Sequence, residues 1–248
     1  MFAPARFLFL GPLLTILRQT THQQNTMSNI STGEIPFDVP TAEKACTTWY
    51  KIIGDLNSSN VPLITLHGGP GAGHDYFAPF EDLYEKYNIP VIMYDQIGCG
   101  RSTHFREKMG DTSFWTTDLF IRELDNLIDH FGLRSKGFYL YGQSWGGMLG
   151  GTYAATQPVG LKKLVLSSAP ASMKIYMEGT KALLKELPQD VQRALEECDR
   201  IGDHESEKWE KASMEFYTRF VCRLNPWPAQ LIEGFGNLKD DPTAYLTM

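Results

Sequence analysis

The chain has 248 residues, of which 42% are hydrophobic, 12% aromatic and 21% charged. These values fit a folded protein with a sizeable core and exclude a disordered, collagen-like or polytopic membrane chain. A formal net charge of −6, with no basic stripe to track a phosphate backbone, argues against nucleic-acid binding.

Residues 1–26 carry Arg6 and Arg18 but no acid, and between them an apolar run broken by Gly11 and Pro12. The run is shorter than the roughly 20 apolar residues a membrane-spanning helix needs, so no stable span is expected. It has the length of a signal-peptide core, but no clear small-x-small cleavage site follows. Three readings stand: a secretory signal, an organellar presequence, or sequence upstream of a start at Met27. The four cysteines, Cys46, Cys99, Cys198 and Cys222, form no C-x-x-C pair and match no zinc spacing with the histidines. Read as reduced structural thiols they favour a cytoplasmic location, with secretion or import following if 1–26 is a targeting segment.

Residues 27–170 alternate strand and helix signals. A short strand is read at 47–53, and apolar, β-prone runs recur at 61–66, 90–94, 138–141 and 164–168. Runs of this kind are expected in the central strands of a parallel sheet. Between them, 114–131 reads as a helix. Phe120, Leu124, Leu127, Ile128 and Phe131 fall on one face, with Asp111, Thr112 and Ser113 as candidate N-caps and Gly132 as C-cap. The alternation predicts a doubly wound α/β fold. Residues 171–248 contain no further β-prone run. Helices are predicted at 173–187, from Pro188 to near Gly202, and at 205–224, so the block reads as a helical cap.

Three motifs carry chemistry. Gly142-Gln143-Ser144-Trp145-Gly146 fits G-x-S-x-G between a strand and a helix at 147–156. Such an elbow strains the backbone and lifts a nucleophilic serine above the sheet edge. His67-Gly68-Gly69-Pro70-Gly71-Ala72-Gly73 follows another strand. Acyl transfer needs two N–H donors aimed at the developing oxyanion. Trp145, after the nucleophile, presents one. Gly68 and Gly69 both qualify for the other, and Gly69 is preferred. A phosphate-binding Walker loop is excluded, because no lysine lies between Lys51 and Lys86. His67 reads as structural. Asp95-Gln96-Ile97-Gly98-Cys99-Gly100-Arg101-Ser102 reads as a scaffold turn braced by Asp95 and Arg101. No metal or cofactor is implied.

In this order and spacing, HGGPG, DQxGxGxS and GxSWGG resemble the proline iminopeptidase (prolyl aminopeptidase) family, serine peptidases of the α/β-hydrolase fold. The resemblance runs from about Met27 to the last residue. It implies release of an N-terminal residue, often proline, from a peptide or amino-acid amide with a free N-terminus. It also implies a helical cap whose acidic residues hold the substrate amine, and Glu215 is the candidate. The fold orders its triad as Ser, acid, His. After Ser144 the only histidine is His204, between two predicted cap helices, so it is not expected to act as the base. At about 30 residues per strand–helix–strand unit, 27–170 holds about five crossovers. The last strands, the acid and the base are therefore expected to lie outside this sequence, leaving this polypeptide inactive alone. Two alternatives stand beside this reading: another α/β-hydrolase (an amidase or esterase), and a non-catalytic ligand-binding protein.

Overall fold

A computed structural model describes residues 30–248, so the readings of 1–26 lie outside the described residues. The described chain forms two compact units, one comprising 30–170 with 236–248, the other 171–235.

The first unit is built on a six-stranded sheet. Its strands are β1 (Ile30–Pro36), β2 (Thr47–Ile53), β3 (Leu63–Leu66), β4 (Val91–Tyr94), β5 (Phe138–Gln143) and β6 (Leu161–Ser167), in spatial order β1-β2-β4-β3-β5-β6. β1, β2 and β4 pair antiparallel. β4, β3, β5 and β6 run parallel. Every residue of β3 and β4 is buried, which is why both read as unbroken apolar runs rather than alternating ones. β6 closes the sheet order, and its Val165 and Leu166 are 50% and 55% exposed. No strand follows β6 among the described residues.

Four helices connect the strands: α1 (Glu81–Tyr87), α2 (Thr117–His130), α3 (Leu133–Lys136) and α4 (Trp145–Ala155). Phe120, Leu124, Leu127 and Ile128 of α2 are fully buried in the core with Ile64, Leu66, Ile92 and Phe138. That is the face their spacing predicts. None of the three predicted N-caps caps α2, whereas Gly132 ends it as predicted. Asp111 Oδ1 accepts from the N–H groups of Ser113 and Phe114, each at 3.1 Å, closing a turn of its own. Thr116 then caps α2 by accepting from Leu119 N at 3.3 Å. At the other end Phe131 is the cap and Gly132, at φ +63°, turns the chain left-handed. Thr116→Ala is expected to lower stability by about 1 kcal/mol and Ser113→Ala to be near neutral. Urea midpoints of the two variants check this, and the reverse ranking would return the cap to the upstream turn.

The second unit contains α5 (Met173–Leu184), α6 (Gln189–Ile201), α7 (Glu207–Phe220) and the first part of α8 (Ala229–Asp240). Ser172 and Ser206 cap α5 and α7, and Gly202 ends α6 in the left-handed region at φ +73°. The unit has its own core, formed by Leu187, Leu195, Cys198, Trp209, Ala212, Phe216 and Tyr217. All four cysteines of the chain are free thiols.

Residues 236–248, read from sequence as part of the helical block, group instead with the sheet unit. Asn237 Nδ2 donates to Ala72 O at 3.0 Å and to Asp75 Oδ2 at 3.1 Å. Asp241 meets His104 Nδ1 at 2.5 Å. Ala244, in α9 (Thr243–Thr247), is buried in the main core.

Candidate active site

After β3 the chain crosses to β4 on one side, and β5 then adds on the other side of β3. The crevice between the carboxyl ends of β3 and β5 is thus the switch point where open α/β sheets bind ligands. The HGGPG loop leaves β3 there, and Ser144 leaves β5.

Ser144 sits at φ +53° and ψ −119°, a conformation that costs an L-residue about 1–3 kcal/mol. Its surroundings hold it there. Its N–H donates to Ser167 O at 3.0 Å, and its carbonyl accepts from Gly147 N and Met148 N at 2.9 and 3.1 Å. Close approach demands the flanking glycines. A Cβ on Gly146 would overlap the Leu66 carbonyl, and one on Gly142 would overlap the Gly146 carbonyl. Trp145 opens α4, so its N–H has no acceptor within the helix. Ser144 is half-exposed.

The glycine loop lies beside this elbow. A Cβ built on Gly68 would stand 3.3 Å from Ser144 Cβ. The Gly68 N–H donates to Tyr76 Oη at 2.6 Å, and the Tyr76 hydroxyl donates to Gln143 Oε1 at 2.9 Å. Gly69 is half-exposed with φ +112°, and among the described residues nothing accepts its N–H.

His67 and Gln96 bind the loops together beneath. His67 Nε2 accepts from Gln96 N at 2.9 Å, so the ring proton sits on Nδ1 and faces Gly68 O at 2.9 Å. Burial pushes His67 down to about 4, and the ring is neutral at pH 7. The Gln96 carboxamide donates to His67 O at 3.2 Å and accepts from Trp145 Nε1 at 2.9 Å. One side chain therefore reaches both the glycine loop and the residue after Ser144.

Asp95 is fully buried. Its nearest side-chain partner is His74, whose Nδ1 lies 2.7 Å from Oδ1, while Oδ2 accepts from Arg101 N at 3.0 Å. Burial pushes its carboxyl up, but His74 and the Arg101 N–H outweigh that and hold it below the usual carboxylate range. The Arg101 guanidinium stands farther off at 3.8 Å and lies over the Trp49 ring. Brace and turn are thus real, with His74 rather than the Arg101 side chain as the closest partner. Glu123 of α2 lies under the same turn, fully buried, accepting from Thr48 Oγ1 at 2.6 Å and from Ile97 N at 2.9 Å. Burial pushes its carboxyl up to about 8 against those hydrogen bonds.

The remaining sequence candidates lie in the helical unit. Glu215 is exposed on α7. His204 Nε2 pairs with Asp199 at 3.2 Å and its ring packs on Trp209 at 4.5 Å. Among the described residues no histidine hydrogen-bonds Ser144, no cluster suits a metal ion, and no helix is long and apolar enough to cross a membrane. His74, Tyr76 and Glu123 carry no signal in the sequence. In sequence these are a polar residue in a loop, an aromatic in an aromatic stretch and a glutamate on an amphipathic helix, and none of those patterns signals a site.

The alpha/beta hydrolase fold family matches residues 61–245. A proline iminopeptidase from Lactobacillus delbrueckii subsp. bulgaricus is 37% identical over 72% of this chain and 59% of its own length. One from Lactiplantibacillus plantarum is 35% identical over 69% and 58%. The chain thus spans under two thirds of the length of these curated relatives. Among solved structures, VinJ is 43% identical with a TM-score of 0.82, covering 88% of this chain and 70% of its own. The proline iminopeptidase of Mycobacterium smegmatis is 34% identical with a TM-score of 0.75, covering 87% and 69%. With the family matched over most of its length and a solved proline iminopeptidase this similar in sequence and backbone, the chain belongs to the alpha/beta hydrolase fold family and, within it, to the proline iminopeptidases.

Proposed function

We propose that Ser144 is the nucleophile of an aminopeptidase that releases proline or another N-terminal residue by acyl transfer. The observation that carries this reading is a strained serine at the switch point, with the glycine loop packed against it at Gly68 and, among the described residues, no acceptor for the N–H groups of Gly69 and Trp145. In this scheme Ser144 Oγ attacks the carbonyl of the N-terminal residue and its proton passes to a base. The carbonyl oxygen becomes the oxyanion held by the two N–H groups. Collapse breaks the C–N bond, the departing amine takes the proton, and water then hydrolyses the acyl-enzyme. Glu215, an exposed carboxylate, is the candidate partner for the substrate's ammonium group.

Among the described residues no histidine is placed to serve as that base. Of the described histidines, His67 has both ring nitrogens engaged, His74 and His104 are paired with Asp95 and Asp241, and His204 is paired with Asp199. His130 packs on Tyr50 and Phe131. Loss of triad function costs on the order of a millionfold in kcat in a protease. This 248-residue polypeptide is therefore expected to show no turnover of a prolyl aryl-amide above background. Turnover that disappears in Ser144→Ala would overturn the inactivity and keep the nucleophile. Turnover that survives Ser144→Ala would overturn the nucleophile. Testing substrates with and without a free α-amine separates an aminopeptidase from a general amidase or esterase.

A further inference from the structure

The Gly68–Tyr76–Gln143 chain of hydrogen bonds has only one direction. A backbone N–H can only donate, and a carboxamide oxygen can only accept. Tyr76 Oη therefore accepts from Gly68 N and spends its single proton on Gln143 Oε1, at 2.6 and 2.9 Å. Burial pushes the phenol well above its ordinary value, so that proton stays in place across the physiological range. The ring is held by Phe77, with centroids 4.4 Å apart, and Phe77 in turn packs edge-on against Tyr141 of β5. A Cβ added at Gly68 would stand 2.7 Å from Gln143 Oε1 and displace that carboxamide. Gly68 is buried, whereas Gly69 is half-exposed.

We propose that Tyr76 is a positioning residue that takes the Gly68 N–H out of service, leaves Gly69 as the loop's oxyanion donor, and ties the loop to the residue before Ser144. This rests on Ser144 being the nucleophile. Without the hydroxyl, the Gly68 N–H is a buried donor with no partner, and the loop gains freedom to turn that group toward water or toward the site.

The experiment uses the whole chain as wild type, Tyr76→Phe, Gln143→Leu, the double variant and Ser144→Ala. The first readout is amide exchange by NMR. In the wild type Gly68 is expected to exchange at least about tenfold more slowly than Gly69, and Tyr76→Phe to remove that difference while Leu66 is unchanged. The second is binding of pyrrolidine-2-boronic acid at pH 9, followed by boron NMR. Ser144 Oγ bonds to boron, its proton goes to solvent and boron becomes a tetrahedral anion, so the adduct forms at equilibrium without a general base. Tyr76→Phe and Gln143→Leu are each expected to weaken it about tenfold, with the double variant no weaker than either. Tyr76→Phe is expected to unfold at a somewhat lower urea concentration, as one unpaired buried donor requires, but still cooperatively, which separates positioning from general loss of structure. A Gly68 amide that exchanges as fast as Gly69 in the wild type overturns the Tyr76 proposal alone. So does an adduct lost in Ser144→Ala yet unchanged in Tyr76→Phe. No adduct in the wild type, or equal adducts in wild type and Ser144→Ala, overturns the nucleophile and this proposal with it.

Discussion

Gly146→Ala is expected to destabilise the protein severely, and Gly151→Ala, on the same helix, to stabilise it. Both changes replace glycine with a better helix former, which favours the folded state by about 0.5–1 kcal/mol. At Gly151 that gain stands alone, because an added Cβ meets nothing within 4 Å. At Gly146 the Cβ would overlap the Leu66 carbonyl and crowd the His67 carbonyl at 2.7 Å. These are backbone atoms of a central strand, so no rotamer change relieves the clash. Either β3 or α4 must move, and both carry parts of the site. The expected loss is about 4 kcal/mol or more, against a total of about 5–15 kcal/mol for a typical domain. Denaturant unfolding of the pair checks the sign and the size. Equal midpoints for the two variants would mean that the helix slides on the sheet at little cost.

The stability of the wild type is expected to be level between about pH 4.5 and 6.5 and to fall from there to about pH 8. Two buried groups set this profile with opposite signs. Glu123 titrates near 8 when folded and near its ordinary value of 4.5 when unfolded. Over that interval the folded state holds a proton that the unfolded chain has released, so stability drops as pH rises. His67 titrates near 4 when folded and near 6.5 when unfolded. There the unfolded chain holds the extra proton, so stability climbs as pH rises. Each slope is about 1.4 kcal/mol per pH unit, and where the intervals overlap they cancel. Glu123→Gln keeps an acceptor for Thr48 and Ile97 but cannot ionise. Its stability is expected to rise through the acid interval and then to fall much less than the wild type's to pH 8, the remaining loss coming from His104, which its hydrogen bond to Asp241 holds above the ordinary histidine range. Urea unfolding at half-unit pH steps gives both curves. Parallel curves would show that the Glu123 carboxyl does not carry the alkaline loss.

Much of the fold was legible because its signals are local. β3 and β4 are buried on both faces and so are apolar without interruption, and the α2 face repeats at helical spacing. What escaped were elements whose residues face water or a partner distant in sequence. β1 is an edge strand with Gly33 inside it and a largely exposed face, and α1 is seven residues with none buried. Neither has a period to read. Residues 236–248 fall within the block read as helical, but helical character says nothing of which unit a helix joins. Asn237 and Asp241 decide that, through contacts 162 and 137 residues away in sequence. The same limit applies to the site. Gly142, Ser144 and the glycine loop announce themselves because close approach leaves no choice of residue. Tyr76 and Gln96 act through hydrogen-bond direction, which no spacing encodes.

The return of 236–248 to the sheet unit makes the helical unit an insertion, fastened at both ends to one body. For chain statistics it behaves as a closed loop, and the entropic cost of closing a loop grows only with the logarithm of its length, about 0.6 kcal/mol for each doubling. Lengthening or shortening the helices between 171 and 235 is therefore nearly free for the sheet. The part of the chain that bears Glu215 can diversify while the elbow, the glycine loop and their bracing turn stay as they are.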